Sequence, residues 1–126
     1  MSILIKPVKL KDQFKEDTPA MYVAVAKSRS VLNLDDLSKR IASMSTVSRA
    51  DVYAVLIALT DTLPPALEEG NIIRLGSLGS FMIRVSSNPT PSAEEMNTHQ
   101  ITQIKLRFRP SKEIQNKLQS FKIEKQ

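Results

Sequence analysis

The stretch GNIIRLGSLGSF, residues 70–81, passes from an alternating pattern through two glycines and back to alternation. Ile73 and Leu75 alternate with their neighbours, which is the period-two pattern of a strand. Gly76 and Gly79 favour a tight turn, because glycine adopts backbone angles that other residues avoid. A phosphate-cradling loop would need a Lys-Ser/Thr pair at a helix start or a third glycine, and the stretch has neither. It therefore predicts a turn between two strands, with no bound ligand.

Two strands and a helix are predicted near the start of the chain. β-prone residues favour strands over 3–11 and 21–28. Asn33 is the predicted N-cap of a helix over 33–44, since two aspartates occupy its first turn, where the helix dipole favours acids. The residues that keep helical spacing on its predicted buried face are Leu34, Leu37, Ile41 and Met44.

The strongest helical pattern runs over 48–63. Ser48 is its predicted N-cap, and Asp51 stands three residues later, as in a capping box with Asp in place of Glu. The apolar face is wide, which indicates burial on more than one side and favours cover by a second subunit. The residues of this face are Val52, Ala54, Val55, Leu56, Ile57, Ala58, Leu59 and Leu63.

Two consecutive prolines, Pro64 and Pro65, follow this helix. Proline lacks a backbone N–H, and the residue before it is disfavoured in the helical region. The helix is therefore expected to end or kink near residue 63. The segment PALEEG could add one turn, with Gly70 as the residue that stops it.

Strands return after the glycine turn, and a helix follows them. Side chains alternate over 81–86 and over 101–109, with the loop-like segment SSNPTPSAEEMNTHQ between them. Pro110 ends the last strand, and Ser111 caps the final helix. The predicted order is β, β, α, α, β, β, β, α. The residues expected to face inward are Phe81, Ile83, Val85, Ile104, Leu106 and Phe108 in the strands and Ile114, Leu118 and Phe121 in the helix.

The net charge of +5 is concentrated at the two ends of the chain. Residues 1–31 carry six Lys/Arg and three acids, and residues 99–126 carry seven and two, whereas residues 32–70 carry three and six. In KLRFR, residues 105–109, three cations project from one face of a strand, and Arg84 can join them from the neighbouring strand. Like charges on adjacent strands repel, so a bound polyanion such as DNA explains the cluster. A solvated basic face is the simpler alternative.

No arrangement of residues predicts an enzyme. His99 is the sole histidine and lies in a polar loop, while the adjacent acids at 35–36 and 94–95 point apart. Cysteine is absent, which excludes disulfides and cysteine-ligated metals. No cofactor, metal or small-molecule substrate is therefore expected. The sequence contains no run of 18 apolar residues, so no transmembrane helix is expected. The first residues are interpreted as mature protein rather than as a signal peptide.

Four motifs between residues 34 and 118 resemble the HU and integration host factor family of bacterial histone-like DNA-binding proteins. The family has a glycine-led strand of the form G-x-x-V-x-L-x-G-F-G-T-F and a closing F-x-P-G-K. The matching segments here are LDDLSKRIA, VSRADV, GNIIRLGSLGSF and FRPSKEI. The N-terminal extension and the altered arm are most similar to the divergent HU-like proteins of Bacteroidetes-type bacteria.

The resemblance implies an α+β, IHF-like DNA-binding fold, with a helical dimer body, a three-stranded antiparallel sheet bearing a β-arm, and extra N-terminal strands. It implies a β extension over 1–31 and an HU-like domain over 32–126, with the arm at about 84–104. The implied function is low-specificity binding and bending of double-stranded DNA, through its backbone and minor groove, as a homodimer or HU-like heterodimer in the cytoplasm and nucleoid, without membrane contact. The expected DNA-binding residues are Arg84, Lys105, Arg107, Arg109 and Lys112, with Pro89 as the wedge between base steps.

The predicted arm departs from the family pattern, so a second function stays open. The family arm is rich in arginine, whereas residues 85–104 contain no Lys or Arg and two glutamates. Ser77 and Ser111 also stand where the family has glycine. Because acids repel phosphate, the alternative is an HU-fold dimeric protein-interaction module with weak or no DNA binding. Residues 1–31 would add a β-pair to the edge of the body or extra basic contacts through Lys6, Lys9 and Lys11.

Overall fold

The structure is a computed structural model that describes residues 1–10 and 19–126. Within those residues it contains two three-stranded sheets, three α-helices and two short 3₁₀ turns, Ala93–Glu95 and Thr98–Gln100. The predicted order is confirmed, with one added strand at the end. Lys11 lies outside the described residues. The elements are β1 (Ile3–Lys9), β2 (Tyr22–Lys27), α1 (Leu34–Ser43), α2 (Arg49–Glu68), β3 (Ile73–Leu75), β4 (Gly79–Ser87), β5 (Ile101–Pro110), α3 (Lys112–Leu118) and β6 (Ile123–Lys125).

Strands β3, β4 and β5 form the predicted antiparallel sheet. In its centre Phe81 lies opposite Ile73 on one side and Phe108 on the other, and the two phenylalanine ring centroids are 4.9 Å apart. Strand β3 covers only the start of β4, so from Met82 to Ser87 β4 pairs with β5 alone. This two-stranded ribbon is the stem of the arm. The predicted α+β class with a three-stranded antiparallel sheet and an arm is confirmed.

Strand β1 is the centre of a second sheet, in the order β2-β1-β6. It runs antiparallel to β2 and parallel to β6. The Ile3 N–H donates to the Lys122 carbonyl at 2.7 Å, and the Gln126 N–H donates to the Ile5 carbonyl at 3.2 Å, so the two ends of the described chain meet. The sequence did not predict β6, because a three-residue strand shows no measurable alternation. The division at residue 31 stays a prediction.

The predicted caps begin both long helices. The Asn33 side chain accepts a hydrogen bond from the Asp36 N–H at 2.9 Å, and the Asp36 carboxylate accepts one from the Asn33 N–H at 3.0 Å. This reciprocal pair is a complete capping box. At α2 the Ser48 hydroxyl accepts a hydrogen bond from the Asp51 N–H at 3.2 Å. Both caps satisfy backbone donors that have no partner within the helix.

Asn33→Ala is expected to lower the free energy of unfolding by about 1 kcal/mol, because it leaves a first-turn N–H without its acceptor. Asn33→Ser keeps a capping oxygen and should stay within about 0.5 kcal/mol of the wild type. Urea unfolding followed by far-ultraviolet circular dichroism measures both. An alanine variant as stable as the serine variant would contradict the capping role.

Asp35 joins α1 to α2. Its carboxylate pairs with Lys39 at 3.4 Å on its own helix and with Arg49 on α2. Desolvation raises the pKa of Asp35, but the hydrogen bonds and positive charges of Lys39 and Arg49 outweigh it, so the pKa lies below its ordinary value. The pairs therefore stabilise the fold above the ordinary carboxylate pKa and lose this contribution as the pH falls through the lowered one. Because all three side chains are substantially exposed, the contribution is small.

Helix α2 continues through the double proline to Glu68. The predicted end at residue 63 is therefore wrong, while the extra turn stopped by Gly70 is confirmed. Proline disfavours a helix interior locally, but the added turn buries Leu67, which is 8% exposed. By length and composition alone α2 is also long and apolar enough to cross a membrane. The sequence criterion of 18 consecutive apolar residues did not indicate this. Core helices of soluble proteins meet the same test.

Few of the predicted core residues are buried in a single chain. Among the described residues only Ser38, Val52, Leu67 and Gly79 are buried. Val55 on α2 is 66% exposed, although it was predicted to lie on the buried face. The prediction for α3 is wrong at Phe121, because the helix ends at Leu118 and Phe121 lies beyond it, half exposed. The remaining predicted core residues with large exposed fractions are Leu37, Ile41, Met44, Ile57, Ile83, Val85, Ile104, Leu106, Phe108 and Leu118.

Candidate nucleic-acid interface

One face of the β3–β4–β5 sheet carries the cations predicted from the KLRFR segment. Residues directly opposite each other in an antiparallel pair point to the same face. Arg84 lies opposite Lys105, and Arg107 and Arg109 follow on the same face of β5, opposite Met82 and Ser80. The register thus brings Arg84 beside the three β5 cations.

Arg74 also lies on this face, although sequence reasoning omitted it. It pairs with Ser80, which in turn pairs with Arg109, so β3 and β5 place the two arginines on either side of a small residue. The alternation of Ile73 and Leu75 was the signal that could have identified it. The basic face therefore consists of Arg74, Arg84, Lys105, Arg107 and Arg109.

The basic face has no acidic neighbours in the sheet. All five of its cations are exposed. The paired β4 and β5 positions that share this face hold Ser80, Met82, Ser86 and Gln103, none of which is charged. Among the described residues the ion pairs join only Asp35 to Lys39 and Arg49, so no carboxylate neutralises this face. Successive cations on β5 lie about 7 Å apart along the strand. Such an array attracts a polyanion.

Ser111 attaches α3 to the glycine turn. Its hydroxyl donates to the Ser77 carbonyl and accepts a hydrogen bond from the Ile114 N–H at 3.1 Å. Its own N–H donates to the Leu78 carbonyl at 3.2 Å. The two serines that replace family glycines are therefore in direct contact. Lys112, the first residue of α3, is exposed and follows the end of β5 after Ser111.

The far end of the arm is acidic. The Asn88 N–H donates to the Gln100 carbonyl at 2.8 Å and closes a loop in which Pro89 is exposed. Glu94 and Glu95 lie in the first 3₁₀ turn of this loop. The structure therefore separates Pro89, at the tip, from the basic face at the base of the arm. Nowhere in the described residues do three or more His, Asp or Glu side chains form a cluster that could hold a metal.

The opposite side of the ribbon is apolar and open. Ile83 pairs with Leu106, and Val85 pairs with Ile104, whose side chain is 68% exposed. A groove of about 1050 Å³ separates this side from the C-terminal half of α2. Its apolar lining includes Leu63, Pro64, Leu67, Phe81, Ile83 and Leu106. The inward-facing residues were predicted correctly as one face, but the described residues of a single chain do not cover them.

Known proteins share both the sequence pattern and the fold. The profile of HU-HIG, the HU domain fused to wHTH, Ig, or glycine-rich motif, matches residues 1–125. A Bacteroides vulgatus structure, provisionally assigned as a bacterial DNA-binding protein, superposes with a TM-score of 0.63 at 10% identity, over 99% of this chain and 49% of that one. The chain thus spans about half the length of that protein.

The HU protein of Anabaena, solved with DNA, superposes with a TM-score of 0.53 at 22% identity, over 71% of this chain and 99% of that one. At these identities both structures show likeness of fold alone. No curated protein matches the sequence.

Proposed function

Because this chain belongs to the HU-HIG family of HU domains fused to wHTH, Ig, or glycine-rich motifs, we propose that it binds double-stranded DNA as a low-specificity architectural protein. The observation that carries the proposal is the basic face, with five exposed cations on one side of a sheet and no acidic side chain among them. The Anabaena HU protein, which shares the fold, was solved with DNA. Its place in the cell would be the cytoplasmic nucleoid.

The proposed binding mode starts from phosphate contacts. Each phosphate that a Lys or Arg neutralises releases condensed counterions, which favours binding without regard to base sequence. The basic face and Lys112 would supply these contacts at the base of the arm. α3 has seven residues, and no element in the described part of the chain resembles a major-groove recognition helix, so low specificity is expected.

The arm would follow the minor groove, and Pro89 would insert between base steps and bend the duplex. Because the arm beyond Val85 lacks cations, its contribution would come from shape and from this apolar wedge. The arm is therefore expected to govern the bend angle more than the affinity.

A dimer is the proposed binding unit, as a homodimer or an HU-like heterodimer. The support is the apolar surface that one chain leaves open, which includes Val55 on α2 and the groove between α2 and the ribbon. Burying apolar surface contributes roughly 25 cal/mol per Å², so cover from a second subunit would stabilise a chain with few buried residues. A helix as apolar as α2 agrees with burial on two sides.

The experiment that tests DNA binding is a salt titration of the full chain on a fluorescent duplex without a designed sequence. We expect the slope of log K against log salt to be about −4 or steeper, since five or more cations per chain are available. A slope near zero, or no binding at low salt, would refute the proposal. Sedimentation of the free protein tests the dimer, and a monomer at micromolar concentration would contradict it.

The acidic arm tip favours the second candidate, a protein-interaction module. A variant in which a two-residue Asn-Gly turn replaces residues 88–100 separates the two functions. Loss of DNA bending in a ligation-circularisation assay supports the DNA role of the arm. Unchanged bending and affinity, together with loss of a bound protein in pull-downs, would assign the arm to a protein partner instead.

A further inference from the structure

The outer edge of β2 is unpaired among the described residues and belongs to neither the basic face nor the groove. Among the described residues β2 pairs with β1 alone, and all six of its residues are exposed. An edge strand presents unpaired N–H and C=O groups, and proteins usually protect such edges with proline, inward charges or bulges. The sequence YVAVAK has no proline and a single charge, Lys27, at its end. The β2 edge therefore remains competent to pair.

The hydrogen bonds to β1 identify which backbone groups are open. The Leu10 N–H donates to the Met21 carbonyl at 2.8 Å, and hydrogen-bonded and non-hydrogen-bonded pairs alternate along an antiparallel ladder. Odd-numbered residues of β2 therefore bond to β1. The position of Pro7 agrees with this alternation of hydrogen-bonded pairs. Proline has no N–H, and Pro7 lies opposite Ala24, where β1 donates no hydrogen bond to β2. The residues whose N–H and C=O groups point to the open edge are Tyr22, Ala24 and Ala26.

The β2–β1–β6 sheet gains little burial within one chain. Tyr22 on one face of β2 is 61% exposed, and Val23 and Val25 on the other face are about 40% exposed. Independent stability of a small sheet requires a covered apolar face or further strands. Additional pairing at the open edge supplies both backbone hydrogen bonds and apolar contact.

We propose that β2 pairs antiparallel with β2 of a second copy and forms one six-stranded sheet about a two-fold axis. The N–H and C=O groups that point to the open edge belong to even-numbered residues in both copies. Even-numbered residues of one β2 therefore form hydrogen bonds only with even-numbered residues of the other. The register with the fullest overlap places Ala24 opposite Ala24 of the second copy. Tyr22 then lies opposite Ala26, and Val23 lies opposite Val25, so small and apolar residues meet along both faces.

The charges of this register are compatible with a second copy as the occupant. Lys27 lies opposite Met21 of the second copy, so the two lysines stand at opposite ends of the paired strands. Lys6 is the cation of β1 on the same face of the sheet as Lys27. It is separated from Lys6 of the second copy by three strand spacings, at least about 14 Å. That distance exceeds the Debye length of about 8 Å at physiological salt, so repulsion is screened. The second copy thus matches the edge in length and pattern, and its charges do not oppose the pairing.

This surface is independent of the proposed function. It involves neither the basic face nor the groove beside α2, so it would join chains whether or not they bind DNA or dimerise through the groove. If both interfaces form, dimers are linked into larger assemblies, and several basic faces are held together.

Single cysteines test the register, since the natural chain has none. In the proposed register the two Ala24 Cα atoms form a hydrogen-bonded pair about 5.5 Å apart, which lies within the range that a disulfide spans. Ala26→Cys is the matched control, because it shares the strand and the face but lies about 14 Å along the strand from its counterpart. Under mild oxidation at micromolar concentration, Ala24→Cys should cross-link at least tenfold faster than Ala26→Cys on a non-reducing gel. Equal rates would overturn the proposal.

A proline variant tests the pairing without a cross-link. Ala24→Pro removes an outward N–H and leaves the ladder to β1 intact, a position that edge strands tolerate. Ala24→Val keeps the N–H. We expect the sedimentation mass of Ala24→Pro to be at most half that of Ala24→Val, with unchanged circular dichroism. Equal masses would refute the proposal. If the groove dimer fails, Ala24→Val should still be a dimer and Ala24→Pro a monomer, so the comparison reports on β2 alone.

Discussion

Replacing the four β4 and β5 cations of the basic face with glutamine is expected to weaken duplex binding roughly a hundredfold or more at low salt. The slope of log K against log salt should become shallower by about 3 to 4, since each lost phosphate contact removes about 0.9. Fluorescence anisotropy across a salt series measures both quantities. The residues replaced are Arg84, Lys105, Arg107 and Arg109.

A charge-matched variant separates the position of the cations from their number. Glutamine at four lysines of the β2–β1–β6 sheet removes the same net charge and leaves the basic face intact. This control should lose far less affinity and keep most of the salt slope. Equal losses in the two variants would show that binding depends on net charge alone, and would contradict the assignment of the interface to the basic face. The control lysines are Lys6, Lys9, Lys27 and Lys125.

Gly79→Ala is expected to destabilise the fold by roughly 3 kcal/mol or more, because strain and overpacking coincide at this position. Gly79 has a φ of +150°, which other residues rarely adopt. An added Cβ would overlap the Arg109 carbonyl oxygen and lie 2.8 Å from the Phe108 ring. Both neighbours belong to β5 at the base of the arm. The substitution should therefore also displace Arg109 and weaken DNA binding.

Gly76→Ala in the same turn is the matched control. Gly76 also has a positive φ, +49°, but no heavy atom lies within 4 Å of its added Cβ. Its cost should be limited to the left-handed backbone, about 1 to 2 kcal/mol. Urea unfolding of the two variants distinguishes a turn effect from a packing effect. Equal destabilisation of the two variants would mean that the Phe108 ring moves away from the added Cβ of Gly79→Ala without a cost in free energy.

Local chemistry was sufficient to predict most elements and the faces of the strands. The caps at Asn33, Ser48 and Ser111 need only a side-chain oxygen and nearby N–H groups, so they can be recognised from a few residues. Alternation over 81–86 and 101–109 correctly assigned which side chains share a face. The candidate DNA-binding residues of these strands followed from the same alternation.

Features that depend on distant partners were missed. Helix α2 passes Pro64 and Pro65 because its last turn gains burial for Leu67, which a propensity argument does not include. β6 exists because it pairs with β1 from the other end of the described chain. Arg74 joined the basic face only once the register connected β3 to β5 through Ser80.

The sequence by itself determined the order of the elements, their caps and the turn at residues 76–79, because each of these depends on neighbours along the chain. Tertiary contacts established the register that gathers the basic face and the parallel pairing of the two ends. They also show which apolar residues a single chain leaves open, since burial depends on all packed elements together. The stretch GNIIRLGSLGSF belongs to both levels. Its glycines predict a turn locally, whereas only the tertiary structure shows that β5 leaves no room for a Cβ at Gly79.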